Sequence, residues 1–218
     1  MRAILIAVTG LIGLTGAAVA EPPVALVEEL QGKVTGAEYM DYVTPGQVIK
    51  IGPGGSIVLS YLKSCRRQTI SGIGTVIVGS DESKVHLADV KDETVDCDAS
   101  NAHATVRETS EAAATVVRGI AAPPAPQLTL YGASPIFEAT GRGTLMLERL
   151  DEAGERQKIE IGGNQIKGRF FDFARTNRAL VPGGTYVARF KESRIVFRID
   201  PQSKPGATPL LGRLLQMD

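Results

Sequence analysis

Apolar residues in this chain recur in short alternating runs, and a glycine or proline ends almost every run. Ala25-Leu26-Val27 and Leu30 lead to Gly32, and Val34 is followed by Gly36. Val48–Ile51 is apolar around one lysine and stops at Gly52-Pro53-Gly54-Gly55. Residues 56–62 alternate, with Ile57, Leu59 and Tyr61 on one face and Ser56 and Ser60 on the other. Residues 75–78 and 85–87 continue the pattern. Period-two alternation in β-branched residues, broken about every 8–12 positions, predicts an antiparallel all-β module. A parallel α/β sheet would need long amphipathic helices between its strands, and the runs leave no room for them.

Past Cys97 the character changes. Residues 98–115 are rich in Ala, Ser, Glu and Thr, and Ser110-Glu111-Ala112-Ala113-Ala114 suits at most one short helix. Residues 121–126 (AAPPAP) are the clearest boundary, because proline-rich runs extend as semi-rigid spacers. Alternation resumes over residues 127–200, with turns at Gly141-Arg142-Gly143 and Glu152-Ala153-Gly154-Glu155. About seven strands in that length suit a small immunoglobulin-like β-sandwich. Within it, Leu180-Val181-Pro182-Gly183-Gly184-Thr185-Tyr186 resembles the L-x-P-G-x-x-Y corner of fibronectin-type sandwiches. That resemblance makes Leu180, Pro182, Gly183 and Tyr186 structural, with the tyrosine hydroxyl bonded to backbone just upstream. The tail, residues 202–218, carries Leu210-Leu211-Gly212-Arg213-Leu214-Leu215. It either makes a short amphipathic turn against a module or stays loose, and is too short to bind a membrane alone.

The first twenty residues have the three parts of a secretory signal. Arg2 supplies the positive start, residues 4–14 the apolar stretch, and Ala18-Val19-Ala20 a cleavage site after Ala20. The stretch is short for the roughly 20 apolar residues of a membrane span, and Gly10, Gly13 and Gly16 interrupt it. No lipobox cysteine follows. A periplasmic or secreted location is expected, with no membrane insertion after cleavage. In such a compartment Cys65 and Cys97, the two cysteines, most simply form one disulfide. The alternatives are a reactive thiol or a metal site. The latter wants more ligands, and His86 and His103 show no ligand spacing. Lys and Arg together number 24, as do Asp and Glu, so no global field attracts nucleic acid or anionic lipid.

The first module also carries a family resemblance. Gly32-Lys33-Val34, then Val43-Thr44-Pro45-Gly46-Gln47-Val48-Ile49, then Gly52-Pro53-Gly54-Gly55-Ser56-Ile57-Val58-Leu59 resembles the FecR domain. The family pattern is a G-x-V strand, an x-x-G-D-x-I turn and strand, and a T-G-x-x-S-x-A-x-L turn and strand. It covers residues 24–88. Gln47 stands where the family often has Asp, and Ser64-Cys65-Arg66-Arg67 replaces the usual D-G-S hairpin. Well-known members relay receptor occupancy to a sigma factor through a cytoplasmic segment and a membrane helix. Neither is recognisable here, so the signalling role does not carry over. The resemblance implies a β-rich extracytoplasmic module that contacts other envelope components.

The expected organisation is therefore a signal peptide (1–20), a FecR-like module (21–100), a linker (101–126), a sandwich (127–201) and a tail (202–218). No catalytic constellation rises above background. Gly72-Ile73-Gly74 and Gly79 lack the spacing of a dinucleotide fingerprint. Gly52-Pro53-Gly54-Gly55 lacks the Lys-Ser/Thr of a phosphate loop, which leaves a hairpin turn or a simple anion cradle. The acidic run Asp81-Glu82, Asp89, Asp92-Glu93, Asp96 and Asp98 reads as a solvated loop face or a weak calcium site. Arg66-Arg67 is the most exposed-looking basic pair and a candidate contact surface. These features favour a non-catalytic envelope protein, without cofactor or metal, that binds a protein or glycan partner. The alternatives are an envelope enzyme or accessory subunit acting on peptidoglycan or polysaccharide, and a small-ligand or metal sensor.

Overall fold

The computed structural model describes residues 21–99, 124–152 and 155–217. The expected leader, the helix turn at 110–114, His103 and most of the Ala/Pro-rich stretch lie outside them. The described residues are all-β, arranged in four sheets, and their helical content is limited to short 3-10 turns.

Nine strands build the first half: β1 (Ala25–Gln31), β2 (Val34–Thr35), β3 (Tyr42–Val43), β4 (Val48–Ile51), β5 (Ser56–Tyr61), β6 (Arg66–Ser71), β7 (Gly74–Ile77), β8 (Lys84–His86) and β9 (Asp89–Thr94). One antiparallel sheet has the order β3-β1-β5-β6-β9, the other β2-β4-β7-β8. Their apolar faces share a core of Ala25, Val27, Val43, Ile49, Ile51, Ile57, Leu59, Tyr61, Ile70, Val76 and Val78. The Gly52–Gly55 run makes a turn in which the Gly55 amide donates to the Gly52 carbonyl at 3.0 Å. A side chain at Gly32, whose φ is +63°, would meet the Gly54 carbonyl oxygen at 2.3 Å. Close backbone approach, which glycine alone permits, thus accounts for this cluster.

The second half contains β10 (Leu128–Gly132), β11 (Ile136–Glu138), β12 (Gly143–Arg149), β13 (Arg156–Ile161), β14 (Ile166–Lys167), β15 (Phe170–Asp172), β16 (Thr185–Phe190), β17 (Ser193–Lys204) and β18 (Leu214–Leu215). Its sheets have the orders β10-β17-β16-β12-β13 and β14-β15-β11-β18. Between them lies a core rich in rings, including Phe137, Phe171, Phe173, Tyr186, Phe190 and Phe197. Residues 127–201 therefore hold eight strands where about seven were expected, and β17 continues to Lys204. It passes Pro201, which has no N–H to donate, where pairing with β10 shifts register between Leu130 and Gly132.

The tail is ordered rather than loose. Leu210–Gly212 forms a 3-10 turn, and β18 pairs parallel with β11 through Ile136↔Leu214 and Phe137↔Leu215. Its leucines enter a third core of Leu26, Met40, Leu62, Ile136, Phe170, Leu210, Leu211 and Leu214. Those residues come from both halves. The halves are packed against each other by buried apolar surface, each buried large side chain contributing roughly 1.5–3 kcal/mol.

Candidate functional site

At the seam between the halves, the tail forms one wall of an open cleft of about 360 Å³. Thr94 ends β9 and Val95 and Asp96 follow it, Tyr131 comes from β10, Gln202 and Lys204 from β17, and Thr208, Pro209 and Gly212 from the tail. Tyr131 is 37% exposed, unusual for an aromatic side chain in this protein. The Thr208 hydroxyl is buried and has no hydrogen-bond partner.

Buried polar groups hold the cleft wall. The Arg213 side chain, nearly enclosed, donates from Nη1 to the Ser134 carbonyl and to Asp172 Oδ1, both at 2.8 Å. Its Nε donates to the Thr208 carbonyl at 3.0 Å, and its own carbonyl accepts the Ile136 amide at 2.7 Å. A buried ion pair is tolerable only with such complete bonding, because desolvating both charges is costly. Gly132 lies beneath: a side chain there would meet Arg213 Cγ at 2.4 Å and Thr208 Oγ1 at 2.5 Å.

A second polar cluster crosses the seam. Tyr42 of the first half donates to Glu138 Oε2 at 3.0 Å, and Gln216 Nε2 donates to the Tyr42 hydroxyl at 3.0 Å. Arg169 Nη1 donates to Glu138 Oε1 at 3.0 Å, and its guanidinium lies 5.4 Å from the Tyr42 ring centre. Burial, reinforced by the Glu138 charge, pushes the Tyr42 phenol far above its ordinary range. It therefore serves as a neutral hydrogen-bonding strut.

The residues singled out from sequence are scattered across the fold. Cys65 and Cys97 are disulfide-bonded, with Cα atoms 5.7 Å apart, and tie the β5–β6 turn to the chain leaving β9. That bond positions Thr94, Val95 and Asp96 at the cleft. Tyr186 accepts a hydrogen bond from the Val181 amide at 3.0 Å, the upstream backbone bond expected of the corner. Burial raises its phenol above the usual value. Leu180 is buried in the same core, and Gly183 takes a φ of +81° beside Pro182.

Arg66 and Arg67 are committed within the first half. Arg67 is 19% exposed, with Nε 3.0 Å from Glu28 Oε2 and Nη1 2.6 Å from Glu93 Oε1. Arg66 pairs with Glu82 and lies 3.8 Å from Asp92. These contacts also account for much of the acidic run. Asp92 further accepts from Gln68 at 2.7 Å, and Asp98 accepts the Thr129 amide at 3.0 Å. Among the described residues, no group of three or more His, Cys, Asp or Glu side chains could hold a metal ion. His86 is exposed on β8 opposite Thr75, away from the cleft lining.

Sequence reasoning did not identify the cleft. Its residues come from three distant segments of mixed chemistry, and Tyr131 alone, an aromatic at a polar-face position of a strand, offered a signal. No protein-family model, no curated protein and no solved structure matches this chain. No helix among the described residues is long and apolar enough to cross a membrane.

Proposed function

We propose that this is an exported, non-catalytic binding protein of the bacterial cell envelope, whose two β modules present the seam cleft to a protein or glycan partner. The observation that carries the reading is the cleft itself. It is open, holds an exposed tyrosine beside a lysine, a glutamine and a carboxylate, and is braced by the buried Arg213–Asp172 pair and by the disulfide. Pre-organised walls suit recognition because little ordering entropy is lost on binding.

The disulfide supports a periplasmic or secreted location, since such bonds persist in oxidising compartments. A FecR-like first module and an immunoglobulin-like second module belong to the same proposal. The second reading is supported by the corner at Tyr186 and by a five-stranded sheet opposed to the β14-β15-β11 set, as in seven- to nine-stranded sandwiches.

The test is a photo-crosslinking residue placed at Tyr131 in intact cells, with Lys84 on the outlying β8 as control position. One stoichiometric envelope partner captured from position 131, and lost with Lys204→Glu, is the expected result. Identical capture profiles from both positions would overturn the reading.

A further inference from the structure

The neutral total charge conceals a division. Residues 21–99 carry seven Lys and Arg against twelve Asp and Glu, while residues 124–217 carry fourteen against nine. In the second half the excess is concentrated on one surface. The inward residues of β12, β13, β16 and β17, such as Leu145, Ile159, Ala188 and Phe197, belong to the core. The alternate positions point outward, and five of them are Arg156, Lys158, Arg189, Arg194 and Arg198, all exposed. Three acids share that face, and Asp200, at the end of the paired stretch of β17, accepts the Gln202 amide at 2.8 Å. Glu148 is held by Arg156 at 3.0 Å and Arg189 at 3.4 Å, and Glu160 by Lys158 at 3.1 Å.

Strand register sharpens this. Arg189 stands directly opposite Arg194, and across the sheet the same row continues through Met146 to Lys158. Like charges directly opposite destabilise a sheet. Arg194 and Arg198 make no ion pair among the described residues. In the first half the arginine strand is arranged in the opposite way, with Arg67 facing Glu93 across β6 and β9. A surface serving solubility alone would be expected to follow the first-half arrangement.

From this geometry we infer that the outer face of the β17-β16-β12-β13 sheet is a docking surface for an extended anionic polysaccharide. The row of cations spans about 14 Å over three strand spacings, on a flat face rather than in a cradle, so it suits a chain of anionic groups rather than one small anion. Two other occupants fit less well. A bilayer surface is disfavoured because no exposed large apolar side chain lies on this face to enter the interface. A second copy is disfavoured because Glu28, Glu82, Asp92 and Glu93 of the acidic half are already engaged by its own arginines.

The test uses the mature protein and polygalacturonate, a carboxylate-bearing polysaccharide, with neutral dextran and phosphatidylglycerol vesicles alongside. Retention on polygalacturonate that weakens with salt is expected, with none on dextran. The double variant Arg194→Glu/Arg198→Glu should lose at least about tenfold in affinity. A first-half variant with the same charge change, Lys33→Glu/Lys84→Glu, should bind as the wild type does. Equal loss in both variants would reduce the effect to net charge and overturn the proposal. So would tighter binding to vesicles than to polysaccharide, or salt-sensitive self-association that disappears in the arginine variant. The seam cleft has its own readout, capture from position 131 in intact cells, so failure of either experiment leaves the other result standing.

Discussion

Both cysteines lie in residues 21–99, and all six phenylalanines lie in residues 124–217. Each half packs two sheets over a shared core, yet the means differ. The first core is aliphatic apart from Tyr61, whose hydroxyl bonds Ser83 at 2.7 Å. A covalent loop closure across 32 positions adds to it, removing conformations from the unfolded chain. The second core has no disulfide. It relies on ring area, with Phe137 at 5.0 Å from Phe173 and 6.3 Å from Phe197, and Tyr186 stacked on Phe197 at 5.8 Å. Small β modules can thus reach stability by restricting the unfolded state or by burying more apolar surface in the folded one. The seam core between them draws on both halves.

The largest expected effect tests the aromatic side of this contrast. Phe137→Ala should cost roughly 3–5 kcal/mol, the transfer loss plus the cavity left behind, as read from denaturant midpoints. A loss below 1 kcal/mol would mean the surrounding rings collapse freely into the gap.

Next comes the covalent side. Cys65→Ser/Cys97→Ser should lower stability by roughly 3–4 kcal/mol, and reductant should shift the wild type by a similar amount while leaving the variant alone. A variant that melts like the wild type would erase the distinction drawn between the halves.

Tyr186→Phe keeps the ring and removes only the acceptor for the Val181 amide. A loss of about 1 kcal/mol is expected, with hydrogen exchange faster at Val181. Unchanged exchange there would show that the corner is held by ring packing alone.

The smallest effect concerns Asp151. Its carboxylate is bound by Arg149 at 2.9 Å and accepts the Thr185 amide at 2.9 Å, and these contacts hold its pKa at about 2 against the opposing effect of burial. The folded value lies below the unfolded one of about 4. The stabilisation is therefore complete above pH 4 and is lost as pH falls toward 2. Asp151→Asn should be less stable than the wild type at pH 7 by well under about 1 kcal/mol, given its exposure to solvent. The gap should close as pH drops from 4 to 2, and a gap independent of pH would assign the effect to shape rather than charge.

Much of the strand plan is visible in the residues. Ile57, Leu59 and Tyr61 alternate in sequence and are all fully buried on one face of β5. The opposite face behaves less simply. Ser60, on that other face, is also fully buried and donates to Glu28 Oε2 at 2.6 Å. Glu28 sits at the bulge where β1 shifts register against β5, and Arg67 closes over the same carboxylate. Alternation says which residues share a face, but not whether long polar side chains will cover it. The tail was ambiguous for a related reason. Leucines at 210, 211, 214 and 215 fit no single strand or helix period, because the first three enter the seam core while Leu215 enters the core of the second half.

The sequence by itself determined the class of fold, the Gly52–Gly55 turn, the disulfide partners and the tyrosine corner. These follow from interactions within a few residues, or from there being just two cysteines to join. Only the tertiary structure decided that the tail would complete a sheet, that Arg213 would find Asp172, and that a cleft would open beside Tyr131. It also decided where the balanced charges would separate. Those outcomes depend on surfaces distant in sequence meeting in space, and local periodicity contains no term for which surface meets which.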